Sequence, residues 1–388
     1  MSTVVDSAQY LIEPPDLFSH RLPAKLRDRG PRVVNMPDGG EGWSYDNGAW
    51  LRPLGVEAGA GHSPLDLKGH GYRYADIRKG MHEAKARLED LRIDGVDVAL
   101  IFPTFALDIR SLTDPELHLA CIQAYNQGVW DWTQHGDSRK LIPQALMPAA
   151  GIPESLAELQ RVAKQGFRGI IFNGYPSGGN TPTKDDEPFF KLCEEAGIVI
   201  NLLRGGPIGN DRTPVAPQQY IGAAGADTVR PAEESLDILL AQQATIKNLN
   251  VAWLIFSGIT ERMPKLKISL VDAGAGWIRT TGELMDWNYR YMQHNMPARL
   301  EYIPSDYLKR NFKATLTNER FAVVARHEFG EDYLLWATNY PNSTSTWPNS
   351  GRAAAETLLG IPEPERAGIL GATAARWYGL TLPSLALA

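Results

Sequence analysis

Tyr10, Arg204 and Asp272 lie far apart in the chain, yet their side-chain types form a set able to do acid–base chemistry on a small organic acid. An arginine can clamp a carboxylate through two parallel N–H bonds, a tyrosine hydroxyl can donate a proton and an aspartate can serve as base. Each stands at or just past the end of a short apolar or β-branched run, beside other polar groups in the same situation: Asp6 and Glu13, Asn173, and Asn339 with Asn342. Common catalytic motifs are missing. His82-Glu83 and His327-Glu328 do not extend to HExxH, no GxSxG or P-loop is present, and the Gly-rich run Ala58–His62 does not open a helix after a strand. The eight histidines fall mostly in helical patterns or connecting loops and read as structural. The polar trio has a non-catalytic reading as well. Arg204 paired with Asp272, with Tyr10 and Asn339 meeting the remaining hydrogen-bonding demand, would plug a cavity.

Positioning such residues requires elements that end together. Eight runs have strand character: Thr3–Asp6, Val96–Phe102, Leu141–Met147, Arg168–Phe172, Ile198–Leu203, Lys267–Asp272, Lys313–Thr317 and Tyr333–Asn339. Amphipathic segments alternate with them, such as Leu117, Cys121, Ala124, Gly128 and Trp132 on one helical face. Asp114-Pro115 and Pro153-Glu154 open helices with a proline near the first position. Most of the runs are continuously apolar, as suits strands buried on both faces. The pattern therefore predicts an α/β fold, a (β/α)8 barrel occupying residues 1–388 as one domain, whose reactive groups stand at the C-terminal strand ends. Two long loop insertions interrupt it, residues 35–80 and 204–231, and loops of that length commonly carry function.

Composition narrows the function classes. The 388 residues carry 39 Lys+Arg against 45 Asp+Glu, a net charge of -6, which leaves no basic footprint for nucleic acid or an anionic membrane. Cys121 and Cys193 lie in separate helical patterns without a CxxC and read as buried thiols in a reducing compartment. No stretch is long and apolar enough to span a bilayer, and the N-terminus lacks a signal-peptide pattern, so a cytoplasmic location is expected.

Longer stretches carry a resemblance. RLEDLRIDGVDVALIFPT (87–104), AYN (124–126), GFRGI (166–170), ERMPKLKISLVDAGAGWI (261–278), LLWATNYPNSTSTWP (334–348) and ILGATAARWYGL (369–380), with the opening VVDSAQYLIEPPDLFSHR, resemble the amidohydrolase-2 family of the aminocarboxymuconate-semialdehyde decarboxylase type. That resemblance implies an amidohydrolase barrel with a metal held by an H-x-H pair ending the first strand, a His ending the fifth and an Asp ending the eighth. Transferred here, those positions are Ala8 and Tyr10, Leu203 (or Arg204 one residue on) and Asn339, while Asp272 stands where relatives carry Glu or His. Alanine and leucine offer no donor atom, and asparagine offers only a neutral carbonyl. The vestigial positions thus imply no metal cofactor in this chain. The resemblance further implies a structural or regulatory subunit, whose partner in a hetero-oligomeric monooxygenase or hydrolase is a paralogous amidohydrolase-fold chain carrying the metal, either a dinuclear Fe/Mn centre or Zn. The alternative is a metal-independent decarboxylase, lyase or C–C hydrolase acting on a small carboxylate through Tyr10, Arg204 and Asp272.

Overall fold

The computed structural model describes residues 3–63, 65–204, 206, 249–296, 299–330 and 332–382. Eleven strands form among them: β1 (Val5–Leu11), β2 (Arg32–Asn35), β3 (Glu41–Tyr45), β4 (Trp50–Pro53), β5 (Val98–Pro103), β6 (Leu141–Leu146), β7 (Gly169–Ile171), β8 (Val199–Leu203), β9 (Ile268–Val271), β10 (Phe312–Leu316) and β11 (Leu334–Trp336). Eight of them make one sheet in the order β1-β5-β6-β7-β8-β9-β10-β11. Every pairing within it is parallel. The sheet curls back on itself, and the seam is closed by backbone bonds from Asn339 to the Ala8 carbonyl (3.1 Å) and from Tyr10 to the Tyr340 carbonyl (2.6 Å). Asp6 bolts the same seam, its carboxylate accepting from the Thr338 and Ala8 N–H groups at 3.0 and 3.2 Å. This is the expected (β/α)8 barrel.

Helices cover the outside. Those following β5, β6 and β7 are Pro115–Gln134, Ile152–Gln165 and Glu187–Ala196. Asp114 caps the first, accepting from the Glu116 and Leu117 N–H groups, with Pro115 at the position that needs no donor. Asn126, in the same helix, grips β6 by accepting from the Leu146 N–H and donating to the Leu146 carbonyl, at 2.8 and 2.9 Å. Buried on both faces, the strands are mostly apolar, which is why their runs are legible, with single polar residues such as Gln144, Asn201 and Ser269 among them. Among the described residues no helix is long and apolar enough to cross a membrane.

Two expectations are corrected here. The first strand is Val5–Leu11 rather than Thr3–Asp6, because Asp6, Ser7 and Gln9 interrupt its apolar run while remaining buried within the barrel wall. Residues 35–80 are not all loop. Together with Arg32–Val34 they build an antiparallel sheet β2-β3-β4, and Asn47 and Gly48, with φ of 60° and 86°, turn β3 into β4. The 204–231 insertion, apart from Arg204 and Gly206, lies outside the described residues.

Candidate active site at the barrel mouth

Four polar side chains converge where the strands end. Tyr10 is near the end of β1, Arg204 and Asp272 are each one residue past β8 and β9, and Asn339 is three past β11. The last three share an unusual backbone, with φ of 53°, 50° and 58°. Left-handed conformations are tolerated by Asn and Asp but cost an arginine about 1–2 kcal/mol. The Asp272 N–H is tied to Thr315 Oγ1 at 2.9 Å, so β10 helps to hold this turn.

Asp272 is the hub. Its Oδ2 accepts from Tyr10 Oη at 3.1 Å and Arg204 Nε at 3.0 Å, and its Oδ1 accepts from Asn339 Nδ2 at 3.2 Å. Burial and the adjacent carboxylate push the Tyr10 hydroxyl well above the ordinary tyrosine range. Burial works against the Arg204 charge, but Asp272 and Tyr10 outweigh it and the guanidinium is held more firmly protonated than usual. About a quarter of the Arg204 and Asp272 side chains stays accessible, so the pair can meet a ligand. The structure thus unites Tyr10, Arg204, Asp272 and Asn339. Ala8 contributes only backbone groups to the seam, and buried Leu203 precedes the side chain that reaches the mouth.

A wall flanks this cluster, of which the strand-end rule nominates Glu13 but sequence spacing does not reveal Arg52 or Asp108. Glu13 lies fully buried, its carboxylate accepting from the backbone N–H groups of Thr104, Phe105 and Ala106 at 3.0, 2.9 and 2.9 Å, which fixes the loop after β5. Burial outweighs those bonds and raises its pKa to about 7. Arg52, from β4, is clamped onto the same loop by Asp108 (2.9 Å) and the Thr104 carbonyl (3.2 Å), with Glu57 at 2.7 Å on its other side. Trp43 stacks on Phe105 at 6.0 Å, so the small sheet serves as a rim for the barrel. At the strand ends Thr104 Oγ1, Asn173 Nδ2 and Asn339 Oδ1 are buried without a partner among the described residues, hydrogen-bonding capacity that suits water or a polar ligand.

As a metal centre the mouth is poorly provided. Among the described residues no group of three or more His, Cys, Asp or Glu gathers anywhere. Asp272 and Asn339 offer oxygens, but a guanidinium already sits against the one carboxylate in the cluster, and Tyr10 spends its proton on that same group.

Comparison with known proteins agrees with this architecture. The chain is 20% identical, over 319 residues and 80% of each protein, to 2-amino-3-carboxymuconate-6-semialdehyde decarboxylase of Dictyostelium discoideum. It superposes on an amidohydrolase from Mycobacterium avium subsp. paratuberculosis with a TM-score of 0.74, 18% identity and coverage of 97% and 99% of the two chains. With 5-carboxyvanillate decarboxylase of Sphingomonas paucimobilis the TM-score is 0.61 at 19% identity, covering 98% and 100%. Residues 61–380 match the amidohydrolase family, and the chain belongs to that family.

Proposed function

We propose that the barrel mouth receives a small organic acid on Arg204 and decarboxylates it, or cleaves a related C–C bond, without a divalent metal. The observation that carries this reading is the Asp272 hub, which gathers a cation and a phenolic O–H on one carboxylate, with about a quarter of the Arg204 and Asp272 side chains accessible. Arg204 binds the substrate carboxylate through its outer nitrogens. As the C–CO2 bond breaks, the electron pair stays on carbon and takes the Tyr10 proton. The guanidinium stabilises the resulting phenolate, which regains its proton from water. With both oxygens already accepting, Asp272 serves to orient Tyr10 and Arg204 rather than to take a proton itself. Decarboxylases among the chain's relatives support the reaction class. The donor set does not fit the family's metal, so no step runs through one.

The test is a panel of aromatic and unsaturated carboxylates incubated with chelator-treated protein, with CO2 release followed directly. Turnover that survives chelation and falls at least about a hundredfold in Tyr10→Phe is expected, the scale of one lost proton donor. Turnover that depends on added metal, or none with any acid, overturns the reading. A second reading rests on the same hydrogen bonds taken as a plug: the chain is the non-catalytic companion of a metal-bearing paralogue. Native mass spectrometry separates the two, since only the companion reading expects a hetero-oligomer in which metal travels with the other chain.

A further inference from the structure

Arg204 has a second guanidinium for a neighbour. Tyr10 pairs with Phe102 across β1 and β5, so Thr104 stands two residues, about 7 Å, beyond it along the barrel wall. Arg52 is fastened to the Thr104 carbonyl, and its charge is near enough to work against that of Arg204. Two open arginines at one mouth would suit an acid with two carboxylates. Here only one is open. Arg204 meets Asp272 through Nε, which leaves its outer nitrogens to a ligand among the described residues. Both outer nitrogens of Arg52 are engaged: Nη1 donates to Asp108 at 2.9 Å and to the Thr104 carbonyl at 3.2 Å, and Nη2 donates to Glu57 at 2.7 Å. Its guanidinium also lies over the Phe105 ring, 4.8 Å from the centroid. Burial works against the Arg52 charge, but Asp108 and Glu57 outweigh it.

We infer that the mouth selects acids with one carboxylate and an uncharged polar remainder, and that Glu57 and Asp108 set this choice by engaging Arg52. The inference rests on the reading that Arg204 receives the carboxylate. A second carboxylate arriving at Arg52 has to displace Glu57, or lie beside Glu57 and Asp108 without a cation of its own, and both work against a dianion. Arg110, the other cation that Asp108 feels, already has interactions of its own. The hydrogen-bonding capacity left over is neutral: Thr104 Oγ1, Asn173 Nδ2 and Asn339 Oδ1 are buried without a partner among the described residues. The Asn339 amide has one workable orientation. Turned over, it would set its carbonyl against the Asp272 carboxylate that now accepts from Nδ2 at 3.2 Å. Its Oδ1 therefore waits for a donor, which a hydroxyl or an amide N–H supplies and a carboxylate does not. Glu57 is at the edge of the network, its side chain 19% exposed against 0% for Asp108, so it can be altered without opening the core.

Isothermal titration of the full chain with two isosteric pairs tests this: succinamate against succinate, and 3-carbamoylbenzoate against isophthalate. Within each pair only an amide replaces a carboxylate, so shape is held constant while charge changes. In the pair that fits the mouth the monoanion should bind about tenfold or more tighter than the dianion. Glu57→Gln should strengthen the dianion by about tenfold and leave the monoanion within about threefold, and Arg204→Gln should abolish both. Dianions as tight as their amides, or a Glu57→Gln change that moves both members of a pair alike, overturns the inference. If Arg204→Gln still abolishes binding in that case, the carboxylate reading of Arg204 survives. Binding indifferent to Arg204→Gln, or none by any of the four acids, defeats that reading and this inference with it. The wild-type comparison decides the matter even where a variant does not fold.

Discussion

Arg204 and Asp272 meet at 3.0 Å although each leaves its strand through a left-handed residue, with φ of 53° and 50°. The ion pair and the strain are thus coupled: the turn aims the guanidinium, and the pair holds the turn. Arg204→Ala and Arg204→Gly both delete the pair, but only glycine adopts positive φ freely. Arg204→Gly should therefore be the more stable by about 1 kcal/mol in urea unfolding, and equal stabilities would show that the turn stores no strain.

Asp272 is one acceptor serving three donors, so its removal differs from removal of the whole cluster. Asp272→Ala leaves a guanidinium facing the mouth unpaired and should cost about 3 kcal/mol. Arg204→Met with Asp272→Leu replaces both charges by apolar groups and should recover most of that loss, because a well-packed apolar pair often matches a partly buried ion pair. Turnover separates the roles: the recovered double variant should remain inactive. If it keeps its activity, the catalytic assignment fails while the structural one survives.

Two buried carboxylates give stability a definite pH dependence. Burial raises Asp6 to about 6 and Glu13 to about 7. A carboxyl group raised in the folded state binds its proton more tightly folded than unfolded. Its contribution is therefore complete below the ordinary carboxylate range and is withdrawn as pH climbs through the folded value. Asp6 finishes its loss near pH 6, so between about pH 6 and 7 the remaining fall belongs to Glu13. Over its whole range Glu13 withdraws about 3 kcal/mol, and Glu13→Gln should flatten that limb of a stability–pH curve. An unchanged slope would place the titration elsewhere.

The same residues show what spacing can and cannot reveal. Seven barrel strands are legible because their residues are mostly apolar on both faces, and their observed bounds lie within three residues of the runs. The first strand is obscured by Asp6, Ser7 and Gln9, and the burial of Asp6 depends on a partner as distant in the chain as Thr338. Tyr10, Arg204 and Asp272 can be nominated from strand ends alone, since a parallel barrel collects those ends at one mouth. The rim cannot: Arg52 reaches Asp108, and Glu13 reaches three N–H groups about 90 residues away, through contacts that leave no periodicity. Only the Asn47-Gly48 turn advertises the hairpin that carries Arg52.

Arg87 ties the outer helix layer to the strand that carries Tyr10. It lies in the helix Ala84–Asp94, fully buried, and its guanidinium donates to the carbonyls of Gly80, Met81 (3.2 Å) and Tyr10 (2.8 Å) and to Gln9 Oε1 (3.1 Å). Its charge rests over the Tyr340 ring at 4.8 Å. Arg87→Met keeps the apolar stem but strands several buried acceptors at once, and should cost about 3 kcal/mol or more. Arg87→Lys retains the charge without the planar fork and cannot reach all four acceptors, so it should fall between methionine and wild type. Because one of those bonds fixes the Tyr10 backbone, both variants should lower turnover more than they raise KM at a temperature where they remain folded. A lysine variant as stable and as active as wild type would show that charge, not the geometry of the fork, is what this site requires.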